Sequence, residues 1–275
     1  MRPIAVGMLA HAALQRAGGR ARVLARLTSS TYLTAHGQIL WLGPADGLLH
    51  PRAILGAPAP DHDGADVRVD TGGLRPWRPA PPALGAPASA RLAAGWPRLA
   101  AGCGVFGPAG GFGPLLTGMA LAFPLAGARA AAEALAMACA RDDARAAADA
   151  AVALLGAGDG LTPSGDDYVG AALFARHLLA VAGLADATAW RGAAETVLAV
   201  APARTHPIGL TLLGDLAAGL GWAPLYELVA ALAIGDPGAA LEAAGRLTRL
   251  GHSSGWDLLA GLGAGLGVLS STAPA

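Results

Sequence analysis

From Arg129 to its last residues the chain repeats one pattern: apolar positions recur every three or four residues, interrupted only by short turns rich in glycine and aspartate. That periodicity commits the second half to helices, predicted at 129–155, 165–182, 187–201, 207–220, 224–234, 237–250 and 254–269. Residues 22–69 have another texture. Val23–Leu27, Tyr32–Thr34, Gln38–Leu42 and Val67–Val69 are short strand-like runs, punctuated by turn signals at Ser29-Ser30, His36-Gly37, Gly43-Pro44 and Asp63-Gly64. Residues 4–17 read as a short helix. Between 72 and 90, Pro76, Pro79, Pro81, Pro82 and Pro87 predict an extended connector lying over the surface, because proline lacks the N–H that a helix interior or inner strand needs. The fold class expected is α+β. A β-rich N-terminal part, a small barrel or curled antiparallel sheet with its connector, occupies 1–90, and a mainly α-helical body occupies 91–275.

At 275 residues the chain suits one large domain or two modest ones, and with 54% hydrophobic and 14% charged residues much of it must be buried in itself or in a partner. All 19 basic residues are arginine, which removes any lysine Schiff base or phosphate-binding lysine. The formal charge is zero and there is no basic run, which argues against nucleic acid. Cys103 and Cys139 are too few for a disulfide scaffold and suit a reducing compartment. The apolar start before Leu14 imitates a signal peptide, but His11 interrupts it and Gln15 and Arg16 replace a cleavage site. The longest apolar stretches contain Arg176 and His177, or Asp215 and Glu227, so no membrane span is expected and the location expected is cytoplasmic.

The densest chemistry lies at 156–170. Gly156, Gly158 and Gly160, the hydroxyls of Thr162 and Ser164, and the carboxylates of Asp159, Asp166 and Asp167 precede the helix that begins near Gly165. The plain reading is a helix start, with Ser164 as N-cap and the two aspartates in the first turn, where the helix dipole favours negative charge by roughly 0.3–1 kcal/mol each. A cap alone needs neither three glycines nor the third carboxylate, so the loop is also a candidate site. Asp159, Asp166 and Asp167 could hold a divalent cation, with Mg²⁺ the fit for hard oxygens. Alternatively the aspartates accept hydrogen bonds from an amide or ureido substrate, or take its proton. The residue types allow both.

A second constellation is Gly251-His252-Ser253-Ser254-Gly255-Trp256-Asp257, either substrate-orienting or a capped helix with Trp256 in the core. Ser164-Gly-Asp-Asp167 and Ser254-Gly-Trp-Asp257 share a Ser-x-x-Asp capping-box pattern and hint at an internal duplication. Arg204, before Thr205, His206 and Pro207, could bind a carboxylate or phosphate through two parallel hydrogen bonds, or be an ordinary surface arginine. The glycine-rich tract 102–118 reads as a mobile loop near the site or a plain connector. Cys103 within it reads as a buried thiol rather than a nucleophile.

Taken together, Gly158-Asp-Gly-Leu-Thr-Pro-Ser-Gly-Asp-Asp167 and Gly251-His-Ser-Ser-Gly-Trp-Asp257 resemble the bacterial family that includes the AllH subunit of oxamate carbamoyltransferase. The resemblance implies a subunit of a multi-protein enzyme in purine (allantoin) nitrogen catabolism, moving a carbamoyl group between oxalurate and phosphate. It implies Asp166, Asp167 and His252 as catalytic candidates. Gly158, Gly160, Thr162, Ser164, Gly165, Arg204, Thr205, Ser253, Ser254 and Asp257 become candidates to bind a small polar substrate. The alternatives are a non-catalytic assembly subunit and a metal-assisted amidohydrolase.

Overall fold

A computed structural model describes residues 1–28, 30–58, 60 and 62–269; Ser29 of the expected Ser29-Ser30 turn lies outside the described residues. By internal contacts the chain forms two units, residues 1–80 with 221–223, and residues 81–220 with 224 onward.

The first unit is a curled six-stranded sheet around one helix. Its elements are β1 (Ala5–Val6), α1 (Met8–Arg16), β2 (Arg20–Arg26), β3 (Thr31–Ala35), β4 (Gln38–Gly43), β5 (Ala53–Leu55) and β6 (Asp66–Arg68). The strand order is β1-β5-β4-β3-β2-β6, antiparallel except for the parallel β4–β5 pair. His36 (φ 48°) and Gly37 (φ 71°) close the β3–β4 hairpin, since a two-residue turn whose twist matches its strands needs both residues left-handed. Alternation does the rest. Val6, Val23, Leu33, Leu40 and Ile54 face Ala10 and Leu14 of α1, while Arg20 and Arg22 point to solvent. Residues 5–6, expected to be helical, are instead extended, because β1 pairs with β5.

The second unit carries α2 (Ala86–Gly102), α3 (Arg129–Ala140), α4 (Ala144–Leu154), α5 (Ser164–Val181), α6 (Ala187–Val200), α7 (Pro207–Ala217), α8 (Ala223–Ile234), α9 (Pro237–Leu247) and α10 (Ser254–Gly265). Two expectations need correction. The proline-rich connector ends before Ala86, since Pro87 sits in the first turn of α2, where its missing N–H costs nothing. The helix expected at 129–155 is two. Asp142 turns left-handed (φ 56°) and Asp143 caps α4 by accepting from the Ala146 N–H at 3.0 Å.

The local plan on either side echoes the hinted duplication. α3 and α8 have 12 residues each, α4 and α9 have 11 each, and Asp236 caps α9 as Asp143 caps α4. Gly235 (φ 80°) stands where Asp142 does. α5, of 18 residues, and α10, of 12, follow in turn and are buried through most of their length, which explains why neither has a polar face. They run side by side in the same direction. Gly261 and Gly265 of α10 lie against the main chain of Tyr168 and Ala172 in α5, an approach no side chain would allow. Among the described residues no helix is long and apolar enough to cross a membrane.

Candidate functional site

The close packing of α5 and α10 brings their N-terminal turns together. Ser164 Oγ lies 3.2 Å from Ser253 Oγ, and Thr162 Oγ1 lies 3.4 Å from Ser254 Oγ. The two motifs, about ninety residues apart in sequence, therefore meet at one place. Each turn is shaped by the same device: the Gly165 N–H donates to the Ala157 carbonyl at 2.8 Å, and the Gly255 N–H to the Leu250 carbonyl at 3.0 Å. Gly165 abuts the Leu154 carbonyl and Gly255 the Leu247 carbonyl, so neither tolerates a Cβ.

The capping boxes expected here do not form. Pro163, extended at ψ 141°, is the N-cap of α5, and Ser164 occupies the first helical position with no capping hydrogen bond. Ser253 caps α10 by position, also without a side-chain capping bond. Ser164 and Ser254 serve the opposite helix instead, and Ser253 serves the Asp257 side chain of its own. Ser254 of α10 hydrogen-bonds Asp167 of α5, while the hydroxyls of Ser164 and Ser253 stand beside Asp257 and favour its charged form.

The three first-turn carboxylates have different surroundings. Asp166 is buried with both oxygens occupied: Oδ1 accepts the Gly156 N–H at 2.9 Å and Oδ2 accepts the Thr205 hydroxyl. It ties the glycine loop and the start of α7 to α5. Burial raises its pKa, and the Thr205 and Gly156 bonds oppose the rise. Asp257 is completely buried, and its Oδ1 accepts the Phe112 N–H at 2.6 Å. Loss of hydration pushes its carboxyl up to about 7, against the bond from Phe112 and the two serine hydroxyls. Asp167 is held well above the ordinary carboxylate range, first by burial and next by the charge of Asp257. The Oδ2 atoms of Asp167 and Asp257 are sealed from solvent and have no hydrogen bond.

Phe112 belongs to the glycine-rich tract, which the sequence left between two readings; it does approach the site. Gly110 packs on Ser253, and Gly111 (φ 55°) lies directly against the Asp257 carboxylate. The Phe112 ring is buried 4.7 Å from that of Tyr168. Gly111 and Phe112 were missed as site residues. Their cluster of glycines was visible, but no local pattern revealed that an aspartate 145 residues later would need their backbone.

Other candidates lie at the edge. Asp159, Gly160, Arg204 and His252 are exposed; Gly158, Thr162, Thr205, Ser253 and Ser254 are half-buried. Arg204 meets the loop through its carbonyl, which rests on Gly156 (φ 75°). Asp159 is exposed whereas Asp166 and Asp167 are buried, and among the described residues no group of three or more His, Cys, Asp or Glu is arranged to hold a metal ion. Cys103 is buried, and burial pushes its thiol up to about 11, as expected of an inert cysteine. Trp256 is buried in the core. What remains is a group of hydroxyls at two convergent helix N-termini, whose partial positive charge favours oxygen-rich ligands, above a floor of buried carboxyls.

No curated protein and no solved structure shows significant similarity to the chain. Residues 154–266, the segment carrying both serine turns together with α5 and α10, match the family model described as oxamate carbamoyltransferase subunit AllH.

Proposed function

We propose that the chain is a subunit of a carbamoyltransferase of the oxamate type, working with partner subunits in the cytoplasm in purine (allantoin) nitrogen catabolism. The observation that carries this reading is that the family match spans both motifs, and that these motifs, distant in sequence, meet through Ser164–Ser253 and Thr162–Ser254 contacts. In the reaction a phosphate oxygen attacks the carbamoyl carbon of oxalurate and the C–N bond to the oxamate nitrogen breaks. The proton of hydrogen phosphate ends on that nitrogen, giving carbamoyl phosphate and oxamate. Such chemistry needs donors for two anions and for the oxyanion at the carbamoyl carbon. The half-buried hydroxyl of Thr162 and the helix N-termini behind it suit the developing oxyanion and the phosphate oxygens, while the half-buried hydroxyls of Ser253 and Ser254, whose protons go to Asp257 and Asp167, suit accepting from the carbamoyl NH₂. Exposed Arg204 suits the oxalurate carboxylate. Asp257, with its carboxyl near neutrality, suits proton exchange through Ser164, while exposed His252 is the other candidate to relay a proton. Asp166 acts by holding the loop.

One observation favours a second reading, a non-catalytic assembly subunit: the unpartnered oxygens of Asp167 and Asp257 are sealed from solvent, so substrate would not touch them. Reconstitution with the partner subunits separates the two. Ser254→Ala should lower carbamoyl phosphate formation by about 10–100-fold, the loss of one hydrogen bond of roughly 1.5–3 kcal/mol in the transition state. Undiminished turnover of that variant would reject a catalytic role for the paired turns.

A further inference from the structure

We propose that Asp167 and Asp257 act as one unit, their Oδ2 atoms bridged by a single shared proton, and that this unit positions the serine hydroxyls that each receives from the opposite helix. The functional consequence rests on the carbamoyl-handling reading above; the shared proton rests on two sealed, unpartnered Oδ2 atoms and on the charge of Asp257 acting on Asp167.

The hydrogen-bond inventory leads there. Asp257 Oδ1 is taken by the Phe112 N–H at 2.6 Å, and its Oδ2 is buried with no partner. Asp167 accepts from Ser254, and its Oδ2 is likewise buried with no partner. A buried carboxylate oxygen left bare is costly, and two bare carboxylates repelling each other are costlier still. One proton resolves both deficits, because it turns one orphan acceptor into a donor for the other. Separation is no escape. Gly261 and Gly265 hold α10 on the main chain of α5, and Gly111 closes over the Asp257 carboxylate.

Other charges do not substitute for the proton. On α5, Asp166 is committed to Gly156 and Thr205 and adds only repulsion. The 107–113 turn contributes backbone N–H and glycines. His252 on the α10 turn, and Arg204 and His206 before α7, are exposed. With the proton in place the pair carries one negative charge. Each serine then donates inward to a carboxyl oxygen and presents its lone pairs outward, where an N–H of a carbamoyl or ureido group can donate to them.

The test uses the full chain with carbon-13 in its aspartate carboxyl groups, titrated by NMR between about pH 5 and pH 9. The signals of Asp167 and Asp257, assigned by their loss in the Asn variants, should move together through one common titration. Half of the pair should be in the acid form at neutral pH. In Asp257→Asn the amide donates where the proton stood, so Asp167 should stay ionised to lower pH than in the unaltered protein, and Asp257 likewise in Asp167→Asn. Independent titrations, or two ionised groups in the unaltered protein at neutral pH, overturn the proposal. If an Asn variant fails to fold, the infrared spectrum of the unaltered protein decides: a buried carboxylic acid band at neutral pH is expected, and its absence overturns the pair. A reconstituted complex with no carbamoyl transfer would remove the functional reading and leave the titration result standing. Uncoupled titration with full turnover would remove the pair alone.

Discussion

Gly261→Ala tests whether the site depends on the contact between α5 and α10. Gly261 is fully buried in mid-helix, and a Cβ there would stand 2.8 Å from the Tyr168 carbonyl carbon and 2.9 Å from its Cα, nearer still to the carbonyl oxygen. The obstacle is main chain inside another buried helix, so no side chain can swing away and the helices must part by about an ångström. Overpacking of a dense core costs roughly 1–3 kcal/mol, and a backbone obstacle belongs at the upper end. Alanine recovers about 1 kcal/mol of helix propensity over glycine. A net loss of about 2 kcal/mol follows. Parting the helices also lengthens the Ser164–Ser253 and Thr162–Ser254 contacts, already long at 3.2 and 3.4 Å, so ligand binding should weaken along with stability. Gly192→Ala is the control: it lies on an exposed stretch of α6 with nothing within 4 Å of its Cβ, and should stabilise by about 0.5–1 kcal/mol. Urea denaturation of the full chain, followed by circular dichroism, reads both. A Gly261→Ala midpoint equal to or above the parent's would refute the argument.

Removing the Asp142 carboxylate strands Arg176, a buried guanidinium that also donates to the Cys139 carbonyl at 3.2 Å and lies 4.3 Å over the Trp190 ring. Breaking a buried pair costs about 3–5 kcal/mol; with Asp142 at 45% exposure, Asp142→Ala should cost about 2–3 kcal/mol by denaturation midpoint. Gly111→Ala forces a left-handed residue (φ 55°) against Asp257 and threatens the Phe112 bond. It should destabilise by roughly 2–3 kcal/mol and abolish site binding in calorimetry. The pH profile has opposing contributions. Asp257, raised from the ordinary 3.8 to about 7, holds a proton when folded that it releases when unfolded, so stability falls as pH rises from about 4 to about 7, then levels off. His50, buried and lowered to about 3 by loss of hydration and by Arg52, makes stability rise between about 3 and 6.5, which masks the effect. Comparing stability curves of the parent and Asp257→Asn cancels the His50 contribution and reads Asp257 together with its effect on Asp167: the variant's advantage should grow with pH by up to about 1.4 kcal/mol per unit and per proton until about pH 7. A pH-independent difference would refute the shift.

Much of the fold was legible because it is written in local periodicity. α5 to α10 lie where apolar spacing puts them, and β2, β3, β4 and β6 where alternation and the His36-Gly37 turn put them. The misses fall where tertiary partners outvote the local signal. Residues 5–6 are extended because β5 offers a strand to pair with. The helix expected at 129–155 breaks because Asp142 is drawn left-handed and is shared by Arg176 and Trp190.

The site shows the same division. Sequence alone marked the two turns as candidates, since glycine, serine and aspartate crowd into them. It also carried the family resemblance, because a motif is read from residue order. What it assigned wrongly was partnership: Ser-x-x-Asp promised a hydroxyl capping its own helix. Only the packing of α5 on α10 decided that Ser254 serves Asp167 and Ser164 stands beside Asp257, and that Phe112 donates to Asp257 from 145 residues away. The reason is physical. A cap is a contact three residues long, which order can specify, whereas burial of two carboxyls between helices depends on how closely two main chains approach, and glycine permits that approach without revealing its partner.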